Sequence, residues 1–457
     1  MTQPPPVGPA PGRPAGLLRP RTWPWWVQVL VVHGLARLLS AGVLAAVART
    51  QATNPWTGAA PSYLEYAGLM WDGSWYRQIA EGGYPEGLPR GEDGRVLQNA
   101  WAFFPLFPTL VRAGSALTGL PWQVLAPTLA LVLGAAAVLV VHRVVVLALT
   151  RPTGSGGPAV DSPRATRAGL VAVMLLSTAA ASPVLQVAYT ESLALLLLAA
   201  VLWCVLSHRY LLAVPLVLAL GLTRAVALPV LVVVVVHALV RYRAARSWRA
   251  RSWTAQVPPH GSPTSGPVPG SVTLVPDGVT GFSPRDRWRL LVLALAAALA
   301  GVLWPTWVGL ATGEREAYVL TQAAWRARQE VLPVLPWIDV ATWLLGGFGP
   351  VLLGGLVLVV GLALASRPAR RVGPELSAWT GAYAAYLLVV VEPGTSLVRF
   401  SLLAFPVAVM VALVVLDLGR PWARRLALAG LVTAGVVAQV AWVALLWRLV
   451  PPSGWPP

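Results

Sequence analysis

Apolar runs of bilayer-crossing length recur from one end of this sequence to the other, and they leave few folds open to it. The first, 27–48, is long enough for one crossing, which takes about 20 residues. Further runs follow at 123–149, 169–185, 192–206, 290–311, 340–365, 376–391, 400–416 and 426–447. The stretch 210–240 is too long for one span and too short for two, and Arg224 sits at its middle beside Thr223. It reads as two short helices meeting at Thr223-Arg224, because broken backbone at membrane depth is tolerated only where it lines a polar cavity or packs in protein. The sequence therefore predicts an all-α polytopic membrane protein with about eleven transmembrane helices and a large first external loop.

Composition removes the water-soluble alternative. Only 11% of the residues are charged and 56% are hydrophobic, against roughly 25% charged in a soluble domain. The net charge of +17 does not point to nucleic acid, since the arginines stand in short clusters between apolar runs rather than along one face. Such clusters are the positive-inside signature. They place the N-terminus in the cytoplasm and the C-terminus outside, with the acids enriched outside. The first run reads as a retained anchor of a multi-pass cell-membrane protein rather than a signal peptide.

Around the spans, residues 1–22 are rich in Pro and Gly and read as a disordered cytoplasmic tail. Residues 23–240 form an N-terminal membrane module that contains the external loop, 49–121. Residues 241–288 open with Arg241, Arg243 and Arg246 and turn Pro/Gly/Ser-rich, which reads as a disordered cytoplasmic linker against anionic lipid. Residues 289–450 form a C-terminal membrane module. The single cysteine, Cys204, lies inside an apolar run, so neither an intramolecular disulfide nor a cysteine metal cluster is expected. His33, His142, His208, His237 and His260 are scattered, and none is taken as a metal ligand.

The polar chemistry is concentrated in a few places. After the first span comes Trp71-Asp72-Gly73-Ser74-Trp75-Tyr76, running on to Gly83-Tyr84. In a helical frame Asp72, Trp75, Tyr76 and Ile79 share a face, which would hold a carboxylate in a partly dehydrated place where it can act as a base. Trp101 to Pro108 is a rigid aromatic turn with prolines three apart. In Tyr189-Thr190-Glu191-Ser192 the acid is either a helix-start residue favoured by the macrodipole or a second polar group in the same cavity. Arg224 and Arg399 each sit at the outer end of an apolar run, where the positive-inside rule disfavours them. Misplaced ionisable groups of this kind are functional candidates, and arginine grips phosphate with a fixed fork of donors. One or two carboxylates and two arginines, with no nucleotide-phosphate loop, suit transfer from a lipid-phosphate donor.

These residues resemble a known family. Trp71-Asp72 followed by Trp75-Tyr76, Ile79-Ala80, Gly83-Tyr84 and then Ala102-Phe103-Phe104-Pro105-Leu106-Phe107-Pro108 resembles the PIG-V type of mannosyltransferase, and more closely its bacterial relatives. Tyr189-Thr190-Glu191-Ser192-Leu193, Thr223-Arg224 and Arg399-Phe400 through Phe405-Pro406 are similar to later motifs of that family. The resemblance implies a glycosyltransferase C type fold, a polyprenyl-phosphate-mannose donor and a catalytic acid in the first large external loop, where Asp72 falls. It implies Asp72 as base and Arg399 with Arg224 on the leaving phosphate. Glu191 would orient acceptor or sugar. Trp71, Trp75 and Tyr76, with Gln322 and Trp325 from the polar external stretch 312–338, would line the substrate groove, although a surface amphipathic helix explains the last two equally. Where some relatives have a further acid ahead of the Phe-Phe-Pro turn, this chain has Gln98 and Asn99. No cofactor is expected beyond the lipid-linked sugar, and no metal is demanded, although the superfamily has metal-using and metal-free members. The acceptor, a glycolipid, lipoglycan or protein, does not carry over.

Two other classes fit parts of the pattern. A transporter or lipid flippase explains the spans, the broken helix and the arginines, but its substrate site would fall near the midplane rather than in an external acid-aromatic loop. A scaffold with a decayed site predicts loss of the acid or the arginines, and all are present.

Overall fold

The computed structural model describes residues 23–151, 159–254, 282–326 and 332–450, with only the backbone of 248–254. The expected tail, 1–22, lies outside these residues. Every regular element among them is helical, and the only β-pairing is an isolated bridge between Arg90 and Val96.

The first helix, α1 (Trp25–Ala48), buries His33, Arg37, Ser40 and Leu44 down one face at helical spacing. The loop after α1 then folds into three short helices: α2 (Tyr63–Leu69), α3 (Asp72–Gly82) and α4 (Leu106–Thr118). α2 starts where it does because Ser62 and Glu65 form a capping box, the hydroxyl accepting from the Glu65 amide and the carboxylate from the Ser62 amide. α4 stops at Gly119, whose φ of +70° closes the last turn at little steric cost.

The bundle is built round α5 (Trp122–Thr150), which packs on α6 (Ser162–Thr178) and α7 (Glu191–Leu206). α8 (Tyr210–Gly221) and α9 (Leu228–Thr254) follow, with the expected break between them. The loosened backbone there is satisfied from outside: the Leu222 carbonyl accepts from the Leu106 amide at 3.0 Å. α10 (Pro284–Thr312) crosses so close to α8 that a Cβ on Gly221 would collide with the Ala300 carbonyl. The chain continues through α11 (Ala317–Trp325), α12 (Leu335–Leu345), α13 (Gly349–Ala365), α14 (Arg367–Val372) and α15 (Pro374–Val390). It ends with α16 (Leu397–Phe400), α17 (Pro406–Asp417) and α18 (Pro421–Trp442), the last running into a π turn over Val443–Trp447.

Six stretches of the described residues are long and apolar enough to cross a membrane, or seven if α16 and α17 count as one span bent by 66°. That is fewer than the eleven expected, and the difference lies in shorter helices such as α7 and α8, of 16 and 12 residues. Three expected bounds are corrected. The run 169–185 is not one helix, because α6 stops at Thr178 and the chain recoils as a 3-10 turn at Ser182–Gln186. Arg37 of α1 holds that break open by donating to the carbonyls of Ser177 and Ser182. The run 400–416 is bent at Pro406, which cannot continue the preceding turn. The linker placed at 241–288 is shorter, since α9 reaches Thr254 and α10 begins at Pro284; residues 255–281 lie outside the described set.

Candidate active site

Asp72 is the first residue of α3, where the positive end of the helix dipole favours a carboxylate. The residue before it, Trp71, has φ +54° and ψ −123°. That backbone is costly for a residue with a side chain, on the order of 1–3 kcal/mol. It is held because the buried indole donates to the Trp447 carbonyl at 2.7 Å and lies against Trp56. Gly73 lets α3 come in: a Cβ there would meet the Gly68 carbonyl of α2 at 2.8 Å.

Glu191 opens α7 and is 1% exposed. It starts the helix and also faces the other charges. Its segment is fixed by the Ala188 amide donating to Ala67 of α2 at 2.9 Å, and by the Tyr189 hydroxyl, which accepts from the Asp72 amide at 3.3 Å. Arg224 comes from the break after α8 and Arg399 from α16, which α15 anchors through Tyr383 and Trp379 donating to the carbonyls of Phe400 and Leu403.

These four side chains meet. Arg399 Nη1 lies 2.5 Å from Asp72 Oδ2 and 3.3 Å from Glu191 Oε1, and Arg224 Nη1 lies 2.6 Å from the same Glu191 oxygen. The Phe400 ring is shared by both guanidiniums, at 4.4 Å from Arg224 and 5.1 Å from Arg399, and Tyr189 faces Arg399 at 5.0 Å. Two polar atoms inside the cluster have no protein partner, Glu191 Oε2 and Arg399 Nε. Buried polar atoms are normally paired, so an unused acceptor and an unused donor in one cluster fit a ligand with hydroxyl and phosphate groups.

An aromatic wall adjoins the charges. Trp75 stacks on Phe103 at 5.7 Å and meets Trp325 edge-on at 5.2 Å, while Tyr76 meets Phe103 and Phe107 edge-on. The Tyr76 hydroxyl is 3.4 Å from Thr190 Oγ1; burial first, and then the charge of Asp72, push its phenol well above the ordinary value. Trp325 is therefore in the wall, its indole donating to the Asn99 carbonyl at 3.1 Å. Gln322 is on the same helix but turns to Tyr318. Trp71 lies beneath the site, against Trp447, rather than among the charges.

Tyr189, Thr190, Phe400 and Phe103 belong to the site and received no role from the sequence. Their adjacency to Glu191, Arg399 and the Phe-Phe-Pro turn was the available signal. Asn99 plays a different part. Its side chain accepts from the Trp101 amide at 3.0 Å and donates to the Leu97 carbonyl, shaping the turn into Phe103. Among the described residues no three His, Cys, Asp or Glu side chains are grouped to hold a metal.

No family model and no curated protein matches the chain. Among solved structures it is similar to the Archaeoglobus fulgidus oligosaccharyltransferase tethered with an acceptor peptide, at 12% identity and a TM-score of 0.44, over 94% of this chain and 56% of that one. It is similar too to the archaeal oligosaccharyltransferase AglB from Archaeoglobus fulgidus in complex with an inhibitory peptide and a dolichol-phosphate, at 15% identity and 0.44, with the same coverage of 94% and 56%. The chain spans about half the length of these structures.

Proposed function

We propose that the chain is a membrane glycosyltransferase of the glycosyltransferase C type. It moves a hexose, mannose on the resemblance of its motifs, from a polyprenyl-phosphate donor to an acceptor hydroxyl on the external face of the cell membrane. The observation that carries this reading is the single cluster of Asp72, Glu191, Arg224 and Arg399 at one end of the bundle, walled by Trp75, Tyr76 and Trp325. A carboxylate beside two guanidiniums is what this transfer needs, and placement at a bundle end favours it over transport through the midplane.

In the reaction, Asp72 takes the proton of the acceptor hydroxyl as its oxygen attacks the anomeric carbon. The bond from that carbon to the phosphate oxygen breaks on the opposite side, inverting the centre, and polyprenyl phosphate leaves with the electron pair. The phosphate gains a second negative charge as it departs, so Arg399 and Arg224 bind the transition state better than the ground state. Glu191 holds both arginines in position and offers its free Oε2 to a hydroxyl of sugar or acceptor. The aromatic wall suits the apolar face of a sugar ring and the first isoprene units.

The test is sugar transfer from radiolabelled polyprenyl-phosphate mannose in membranes carrying wild type or Asp72→Asn at matched expression. Transfer by wild type and its loss in the variant is the expected result. Full transfer by the variant would remove Asp72 as the base, and no transfer by wild type would remove this donor.

A further inference from the structure

A cavity of about 520 Å³ opens between α9, the end of α13, α14 and the start of α15. At about 1.5 Å per residue, Arg243 lies roughly 20 Å along α9 from Leu228, so this cavity is at the other end of the bundle from Asp72. Arg243 and Ser247 line it from α9, Arg370 and Ser377 from the facing helices, with Val240 and Leu364 among its apolar groups.

The charge here is uncompensated. Among the described residues Arg243 has no hydrogen-bond or ion-pair partner, and Arg370 donates only to the Ala365 carbonyl, at 2.8 Å. Glu375 stands close by on α15 but is held by His237 Nδ1 at 2.8 Å, and Arg371 is paired with Asp417. Two guanidiniums facing one cavity without a carboxylate present the forks that suit phosphate oxygens. The cavity also borders α13 at Leu364, and Val357, two turns back on the same face, is 48% exposed on a span only 6% buried. Solvated surface arginines would need no such apolar border. A molecule with a phosphate head and hydrocarbon tails uses both parts.

We propose that this cavity is a binding site for an anionic phospholipid, its phosphate between Arg243 and Arg370 and its acyl chains along α13. The site is independent of the sugar donor and of any transferase activity. It is tested on the full chain purified in detergent and offered equal amounts of phosphatidylglycerol and phosphatidylcholine, with retained lipid read by native mass spectrometry. Phosphatidylglycerol should be retained about tenfold over phosphatidylcholine, and the preference should vanish in Arg243→Gln/Arg370→Gln. Both side chains are exposed, and each single variant, expected to lose part of the preference, serves where the double one aggregates. Arg95→Gln, at the opposite end, should leave the preference unchanged. Equal retention of the two lipids, an unaltered preference in the variants, or displacement of phosphatidylglycerol by millimolar glycerol 3-phosphate would overturn the proposal, the last by showing a site for a soluble phosphate.

Discussion

Arg399 has two partners to serve that cannot be served together. Its Nη1 holds Asp72 at 2.5 Å, yet under the proposed reaction it must hold the donor phosphate while Asp72 meets the acceptor hydroxyl. Donor binding would therefore release Asp72, and the acceptor would follow. The expected kinetic signature is a dead-end acceptor analogue that inhibits uncompetitively against the donor; a noncompetitive pattern would show random order instead. Asp72→Asn should lower turnover by about 10²–10⁴-fold, the range for loss of a general base, with the thermal midpoint little changed because Arg399 keeps Glu191. Glu191→Gln should behave differently. It removes the buried partner of Arg224, and breaking such a pair costs about 3–5 kcal/mol, so reduced yield and a lower midpoint should accompany any loss of activity. Comparing the two midpoints separates the base from the residue that positions the arginines.

Elements decide how tightly that geometry is held. α3 meets α2 across Gly73, and Gly73→Ala would drive a methyl into the Gly68 carbonyl at 2.8 Å. Transfer should fall several-fold or more while the protein still inserts, since a small displacement of a positioned base is costly. The α7–α8 turn makes a pH prediction. Burial first, and then the charges of Arg241 and Arg151, push His208 down to about 4 from 6.5; His237 also opposes its protonation, and Asp286 favours it. The unfolded chain binds this proton more readily, so the stability from His208 is complete above about pH 6.5 and is lost as the pH falls towards 4. His208→Asn, which tolerates the positive φ of 57°, should flatten that part of a plot of midpoint against pH. The face carrying Asp72, Trp75, Tyr76 and Ile79 was legible in the sequence, as was the break at Thr223-Arg224, because periodicity and a misplaced charge are local signals. The stop of α6 at Thr178 was not, because Arg37, far away in the chain, donates to the Ser177 carbonyl in its last turn. The short helices α2 and α4 were not legible either, since burial against the bundle stabilises them more than propensity does.

At the scale of the whole molecule, distant parts of the chain feed one cluster: Asp72, Glu191 and Arg224 come from before α9 and Arg399 from α16. Composition made the helical membrane architecture legible, and the motifs named the four charged residues. Which arginine meets which acid was hidden, because Asp72 and Arg399 are 327 positions apart and no local pattern links them. Coexpression of two polypeptides divided between α9 and α10 should restore transfer, measured with the same labelled donor, because α8 and α9 both pack on α10; either polypeptide alone should be inactive. The same separation has a meaning in time. At roughly 5–20 residues per second, a ribosome needs about 15–65 s after making Asp72 to make Arg399, whereas Arg224 follows Glu191 within seconds. The buried acid thus receives its first counter-charge almost at once, while Asp72, at the start of α3, waits for nearly the whole translation. A chain stalled in that interval lacks Arg399, so under the proposed reaction it could not consume donor lipid before its last helices arrive.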